Sequence, residues 1–305
     1  MKISDLYATK KLTLSFEVFP PARNGSVKDL VKTVHHLACM KPAFISVTYG
    51  AGGGTQDMSL EIASEIRNDV GLEVLSHLTC VQATKDDIDG ILTDFEKGNI
   101  KNVLALRGDP PKGKETFSKT EGGFGYASEL VEFIKKNYGF SIGVAGYPEK
   151  HTEAPSLIDD IENLKRKVDA GADFIITQLF FNNDDFYRFR DMAQNRGIDI
   201  PIIPGIFPIF NYKQIAKIAS LCGAKIPDYF NDTLARVSKD NDEVAKHGIE
   251  YAIRQSQNLL DNGTAGLHFY SMNRSCHVTR IVRELDLDKV VKGHFRANPG
   301  ASGKR

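Results

Sequence analysis

Residues 12–21 read LTLSFEVFPP, a run of aromatic, aliphatic and β-branched residues that stops at Pro20 and Pro21. Such a run predicts a short buried strand, because proline cannot donate to a ladder and ends it. Glu17 stands inside it, between Phe16 and Val18. An isolated carboxylate among apolar side chains costs several kcal/mol, roughly, unless it is paired or protonated. Burial raises a carboxyl pKa, which suits a general acid near neutral pH. The competing reading is a strand-end glutamate salt-bridged to a neighbour.

The same kind of strand recurs along the chain, each followed by a helical pattern. Apolar runs at 44–49, 73–80, 102–106, 140–145, 173–178, 200–204 and 267–270 predict strands two to eight. Between them, apolar residues return at helical spacing, as in Leu30, Val34 and Leu37 or Leu157, Ile161, Leu164 and Val168. Ser26 with Asp29, and Thr84 with Asp87, carry the N-cap spacing, and Gly98 is placed as a C-terminal stop. Strands that are apolar throughout, alternating with helices, are the signature of a parallel sheet covered on both faces. Eight such units predict a closed α/β (β/α)8 barrel (TIM barrel) over residues 1–292, with a helical insertion at 227–262 before the eighth strand. Residues 293–305 are Gly-, Ser- and Lys-rich and are expected to be a flexible tail.

Composition narrows the function classes. The chain has 41% hydrophobic and 26% charged residues, and 39 basic residues balance 39 acidic ones. That balance gives no electrostatic footprint for nucleic acid or an anionic membrane. No stretch reaches the length of a membrane span, and MKISDLYATKK has no apolar h-region, so a cytoplasmic protein is expected. Cys39, Cys80, Cys222 and Cys276 are far apart and lack metal-like spacing; reduced thiols and no metal site are expected.

In a (β/α)8 barrel the chemistry collects at the carboxyl ends of the strands. Those ends carry Glu17, Thr48 and Tyr49, His77 and Thr79, Arg107 and Asp109, Tyr147 and His151, Gln178, and Tyr270 with Arg274. Each has a plainer explanation: His77 as a hydrogen-bonded structural histidine, Asp109 as turn chemistry before Pro110, the glycines at 50–54 as a loop. Asp160, Asn163 and Lys167 lie opposite the apolar stripe of their helix, where a charged face is ordinarily solvated.

SFEVFPP, SVTYGAGG, HLTC, ALRGDPP, AGYPE-x-H, NLKRKVDAGA, ITQLFF, PGIFPI and HFYSMNR occur in this order. With them the chain resembles the 5,10-methylenetetrahydrofolate reductase family, in its compact bacterial form, over nearly its whole length. The resemblance implies a (β/α)8 barrel holding FAD at the strand carboxyl ends. It also implies ping-pong hydride transfer from NADH or NADPH to 5,10-methylenetetrahydrofolate, in one-carbon metabolism and methionine supply. By position it implies Glu17 as general acid, Asp109 as the carboxylate beside flavin and pterin, and Gln178 as a residue serving pterin and nicotinamide. FAD contacts carried over are Thr48, His77, Arg107, Gly108, Asp109, Tyr126, Ala127, Tyr147, His151, Asp160, Asn163, Arg166 and Lys167. Substrate contacts carried over are Glu17, Gln178, Gln214, Tyr270 and Arg274, the last a partner for a glutamate carboxylate.

Three positions depart from the family pattern: Ile218 replaces an aromatic residue, Met272 a leucine and Gln56 an arginine. A homo-oligomer is expected. Because some members are flavin-free or draw electrons through a partner subunit, a partner-dependent reductase subunit is one alternative. Another is a folate- or corrinoid-linked methyl-transfer barrel, which has less use for Glu17 and Asp109.

Overall fold

A computed structural model describes residues 1–9, 12–21, 26–49, 56–110, 113–114 and 116–290. The glycine loop at 50–54 and the tail at 293–305 lie outside the described residues. Strand β1 (Thr13–Val18) is buried at all six positions and pairs on both sides. Parallel β2 (Phe44–Val47) aligns Glu17 with Ser46, and parallel β9 (Gly266–Tyr270) aligns Glu17 with Tyr270. Around the sheet follow β3 (Val74–Thr79), β4 (Asn102–Leu106), β5 (Ser141–Gly146) and β6 (Phe174–Thr177), each parallel to its predecessor.

The seventh barrel strand is in two pieces. β7 (Ile202–Ile203) pairs with β6, and β8 (Gly205–Ile206) pairs with β9. Pro204 separates them because it has no N–H for the ladder, yet its carbonyl still accepts from His268 N at 3.1 Å. Gly205 is required by space: a Cβ there would meet Thr177 O at 2.3 Å. Among the described residues, nine short strands therefore form the eight-stranded (β/α)8 barrel that the sequence pattern predicts. The insertion is two helices, Asp228–Arg236 and Asn241–Asp261.

Local signals account for the helices that surround the barrel. The Ser26 hydroxyl accepts from Asp29 N, and Thr84 with Asp87 forms a reciprocal capping box. Gly98 caps the helix Lys85–Lys97 at its C-terminus, as expected, but without a left-handed backbone. Its φ is −74°, and the left-handed residue is Asn99 (φ +59°); Gly98 is there because a Cβ would stand 2.6 Å from Ser64 Oγ.

Inside the barrel the residues form layers. Phe44, Leu75, Leu104, Phe174 and Ile203 fill the amino-terminal end. The helix Ile3–Thr9, which the periodicity of so short a segment does not reveal, closes it with Ile3 and Leu6. Its first-turn N–H groups, which have no partner within the helix, are satisfied by strand residues: Ile3 N donates to Asn102 Oδ1 at 2.7 Å and Ser4 N to Ser141 Oγ at 3.1 Å. Each fully buried phenylalanine of this plug contributes about 2–3 kcal/mol. With the bottom sealed, the described residues leave the carboxyl-terminal end open to a ligand.

Candidate active site

Side chains alternate along a strand, so Ser15 and Glu17 both point into the barrel while Phe16 points to the helices. The same alternation on neighbouring strands turns Ser46, His77, His268 and Tyr270 inward. His77 Nε2 lies 2.7 Å from Ser46 Oγ and 3.3 Å from Glu17 Oε2. His268 Nδ1 lies 2.8 Å from Ser15 Oγ, and its Nε2 stands 3.6 Å from the same Glu17 oxygen. The second contact is an ion-pair distance; no hydrogen bond satisfies His268 Nε2.

Glu17 is 5% exposed, and burial by itself pushes its carboxyl up. The two imidazoles, His268 and His77, in contact with the carboxylate at 3.6 and 3.3 Å, act in the opposite direction and prevail, bringing it down to about 2. The expectation of a raised pKa is thereby overturned. It considered only the apolar neighbours along β1, whereas the controlling groups arrive from β3 and β9. Tyr270 completes the cluster; its hydroxyl donates to Thr177 O at 2.7 Å, and burial beside the Glu17 charge keeps it protonated.

Two cavities open above this cluster. One, of about 440 Å³, is lined by Glu17, Phe19, Thr48, Tyr49, His77 and Thr79. Gly108, Asp109, Gln178, Phe207, Ile218, Cys222, Tyr270 and Met272 line it as well. The second, of about 450 Å³, is lined by Tyr126, Ala127, Asp160, Asn163, Arg166 and Lys167. Leu106, Arg107, Ala145, Tyr147 and His151 line both, so the two are contiguous. Each falls within the range of small-molecule and cofactor sites, about 300–1,000 Å³.

Helix Leu157–Asp169 shows how the second cavity is built. Ile161 and Leu164 anchor it to the core, which turns Asp160, Asn163 and Lys167 toward the opening. Lys167 Nζ donates to Ala145 O at 2.6 Å, and burial brings its pKa down to about 8. Asp160 Oδ2 accepts from His151 N at 3.1 Å, and burial moves this carboxyl up. Arg107 makes a bidentate pair with Glu153 at 2.6 and 2.7 Å and lies over the Phe117 ring. The polar helix face is thus not simply solvated.

The wall of the first cavity requires glycine. Gly108 has φ +90°, and a Cβ would come within 2.7 Å of Val81 Cγ1. The buried Thr79 hydroxyl lines the first cavity without a hydrogen-bond partner. A buried unpaired donor at a cavity wall is a group that a polar ligand would satisfy. A long ligand with an apolar ring system at one end and an anionic middle would meet complementary groups in these two spaces.

Gln214 and Arg274 line neither cavity. Gln214 sits one turn before Ile218 on helix Tyr212–Cys222, and Arg274 is exposed, its guanidinium 5.9 Å from the Phe210 ring. The sequence reading did not single out Ser15, Ser46, His268, Glu153 or Phe19. His268 was accessible to it, since it stands two residues before Tyr270 on a strand and so shares its face. Glu153 was not, because nothing local ties it to Arg107.

Fold and site together define a (β/α)8 barrel protein with a two-lobed ligand cavity and a carboxylate–imidazole cluster at the carboxyl ends of its strands. A family model for methylenetetrahydrofolate reductase matches residues 2–286, and the chain belongs to that family. It is 40% identical over 265 residues to 5,10-methylenetetrahydrofolate reductase of Escherichia coli, covering 87% of this chain and 88% of that protein. It is 41% identical over 298 residues to methylenetetrahydrofolate reductase (NADH) 1 of Arabidopsis thaliana, covering 94% of this chain and 50% of that one. The chain therefore spans about half the length of the plant relatives it matches. Among solved structures, an uncharacterized Clostridium thermocellum protein that binds two copies of 5-methyl-5,6,7,8-tetrahydrofolic acid shares the fold. Its TM-score is 0.61 at 15% identity, with 95% of this chain and 98% of that one covered.

Proposed function

We propose that this chain reduces 5,10-methylenetetrahydrofolate to 5-methyltetrahydrofolate by a ping-pong reaction, with residues 1–292 as one catalytic barrel. Its electrons come from NADH or NADPH through FAD. The observation that carries this reading is the buried carboxylate of Glu17 at the floor of a cavity large enough for stacked rings, with Asp109 and Gln178 also on its wall.

FAD, when bound, accepts a hydride from the nicotinamide and returns one to the folate. Lys167, Arg166 and Arg107 would hold its anionic and ribose portion, with Asp160 and Asn163 beside them. Thr48, His77, Gly108 and Tyr147 would surround its ring end. Glu17 is the general acid that opens the imidazolidine ring of the folate, and His77 Nε2 lies 3.3 Å from its carboxyl. Asp109 places negative charge near the cationic iminium that follows. Gln178, whose Oε1 accepts from Leu179 N, leaves its amide hydrogens for the pterin or nicotinamide.

Anaerobic titration tests the proposal. The purified protein, reconstituted with FAD, is expected to bleach on addition of NADH or NADPH and to recover its flavin absorbance on addition of 5,10-methylenetetrahydrofolate. A protein that takes up no FAD, or a reduced flavin that the folate does not reoxidise, would overturn it.

A further inference from the structure

Two consecutive residues after β9, Met272 and Asn273, have left-handed backbones, with φ of +49° and +56°. Asparagine tolerates this region better than most residues, but two side-chain-bearing residues in succession persist only where their surroundings enforce it. The enforcing contacts are visible. The Asn273 carboxamide accepts from Phe19 N at 2.9 Å and donates to Phe19 O at 2.8 Å. One side chain thus supplies the pair of bonds that a neighbouring strand would give, where β1 has already left the sheet.

Two residues earlier the same loop grips β1 again. Ser271 Oγ and Ser271 N reach Glu17 O at 2.5 and 3.2 Å, and Asn273 N donates to Ser271 Oγ at 3.2 Å. Phe19 and Met272, one on each side of the clamp, both line the first cavity. The Glu17 carboxyl is oriented separately, by the two imidazoles.

We infer that Asn273 is a positioning residue that fixes the gap between Phe19 and Met272, and through it the affinity for the pterin-bearing substrate. The inference rests on the reading of this cavity as the folate site. It places the effect on binding, because the proton-donating cluster does not depend on the carboxamide.

Asn273→Gly tests it, since glycine adopts the positive φ freely and only the carboxamide is lost. The expected result is a KM for 5,10-methylenetetrahydrofolate raised about tenfold, with kcat within about threefold of the wild type. Amide hydrogen exchange at Phe19 should accelerate about tenfold or more, because its acceptor is gone. Asn273→Asp keeps an acceptor for Phe19 N and loses the donor to Phe19 O, so its KM should fall between the two. An unchanged KM in both variants, or a lowered kcat and melting temperature without a KM effect, overturns the inference. A wild-type protein that binds no folate would defeat the cavity reading instead, while faster Phe19 exchange in the glycine variant would still support the clamp.

Discussion

Oε2 of Glu17 lies 3.3 Å from Nε2 of His77, and this contact, with His268 on the other side, reverses what burial does to the carboxyl. Its folded-state pKa of about 2 is below the ordinary 4.5, so the ionised group stabilises the fold at higher pH. That contribution is complete above about pH 5 and is lost as pH falls toward 2. Melting temperatures of the wild type should therefore drop more steeply between about pH 5 and pH 3 than those of Glu17→Gln, in which nothing titrates there. Parallel curves would show that the imidazoles do not hold the carboxylate ionised.

Glu149 moves the other way. It accepts from Lys225 N at 3.0 and 3.2 Å, yet burial, with Asp185 nearby, lifts its pKa to about 7. A raised carboxyl pKa favours the fold below the unfolded value and costs stability as pH rises through the folded one. Glu149→Gln should match the wild type in melting temperature near pH 5 and exceed it at pH 8, since glutamine keeps an acceptor for Lys225 N without the buried charge. A gain that is absent at pH 8, or equally large at pH 5, would contradict this.

Lys167 is a half-buried cation that the Asp160 charge favours. Lys167→Met leaves that carboxyl in a partly dry site, where it protonates. The variant's loss of stability should then grow as pH rises through neutrality and shrink at acid pH. Its affinity for FAD should also fall about tenfold or more, the scale of a charge-assisted contact to an anion. Spectrophotometric titration with FAD measures the second effect, and undiminished uptake would remove Lys167 from the cofactor site.

Gly108→Ala inserts a methyl group at φ +90°, against Val81 and Thr79. Strain and overpacking together cost on the order of 1–3 kcal/mol. The methyl also shifts the backbone between Arg107 and Asp109. A lowered melting temperature with weakened ligand uptake is expected, and a variant indistinguishable from the wild type would show that the wall of the first cavity adapts.

Much of this was legible in the chain because the signals are local. The apolar strands, the caps at Ser26 and Thr84, and the stripe of Leu157, Ile161 and Leu164 follow from spacing alone, and barrel topology then brings their ends together. What was not legible depends on contacts distant in sequence. The imidazoles on Glu17 come from β3 and β9, the partner of Arg107 comes from the loop after β5, and the helix Ile3–Thr9 is held by Asn102 and Ser141. The pKa direction of Glu17 was misread for the same reason: a one-dimensional neighbourhood shows desolvation but not the compensating partners. Pro204 lay in a predicted strand, and only the ladder shows that it divides that strand in two.

The central claim is that Glu17 donates a proton to the folate and takes no part in oxidising the nicotinamide. Anaerobic stopped-flow spectroscopy of Glu17→Gln separates the two half-reactions. Flavin reduction by the nicotinamide should stay within about threefold of the wild type, while reoxidation by 5,10-methylenetetrahydrofolate should slow about 100-fold or more, the scale of a lost general acid. Equal slowing of both half-reactions, or an undiminished reoxidation rate, would contradict it.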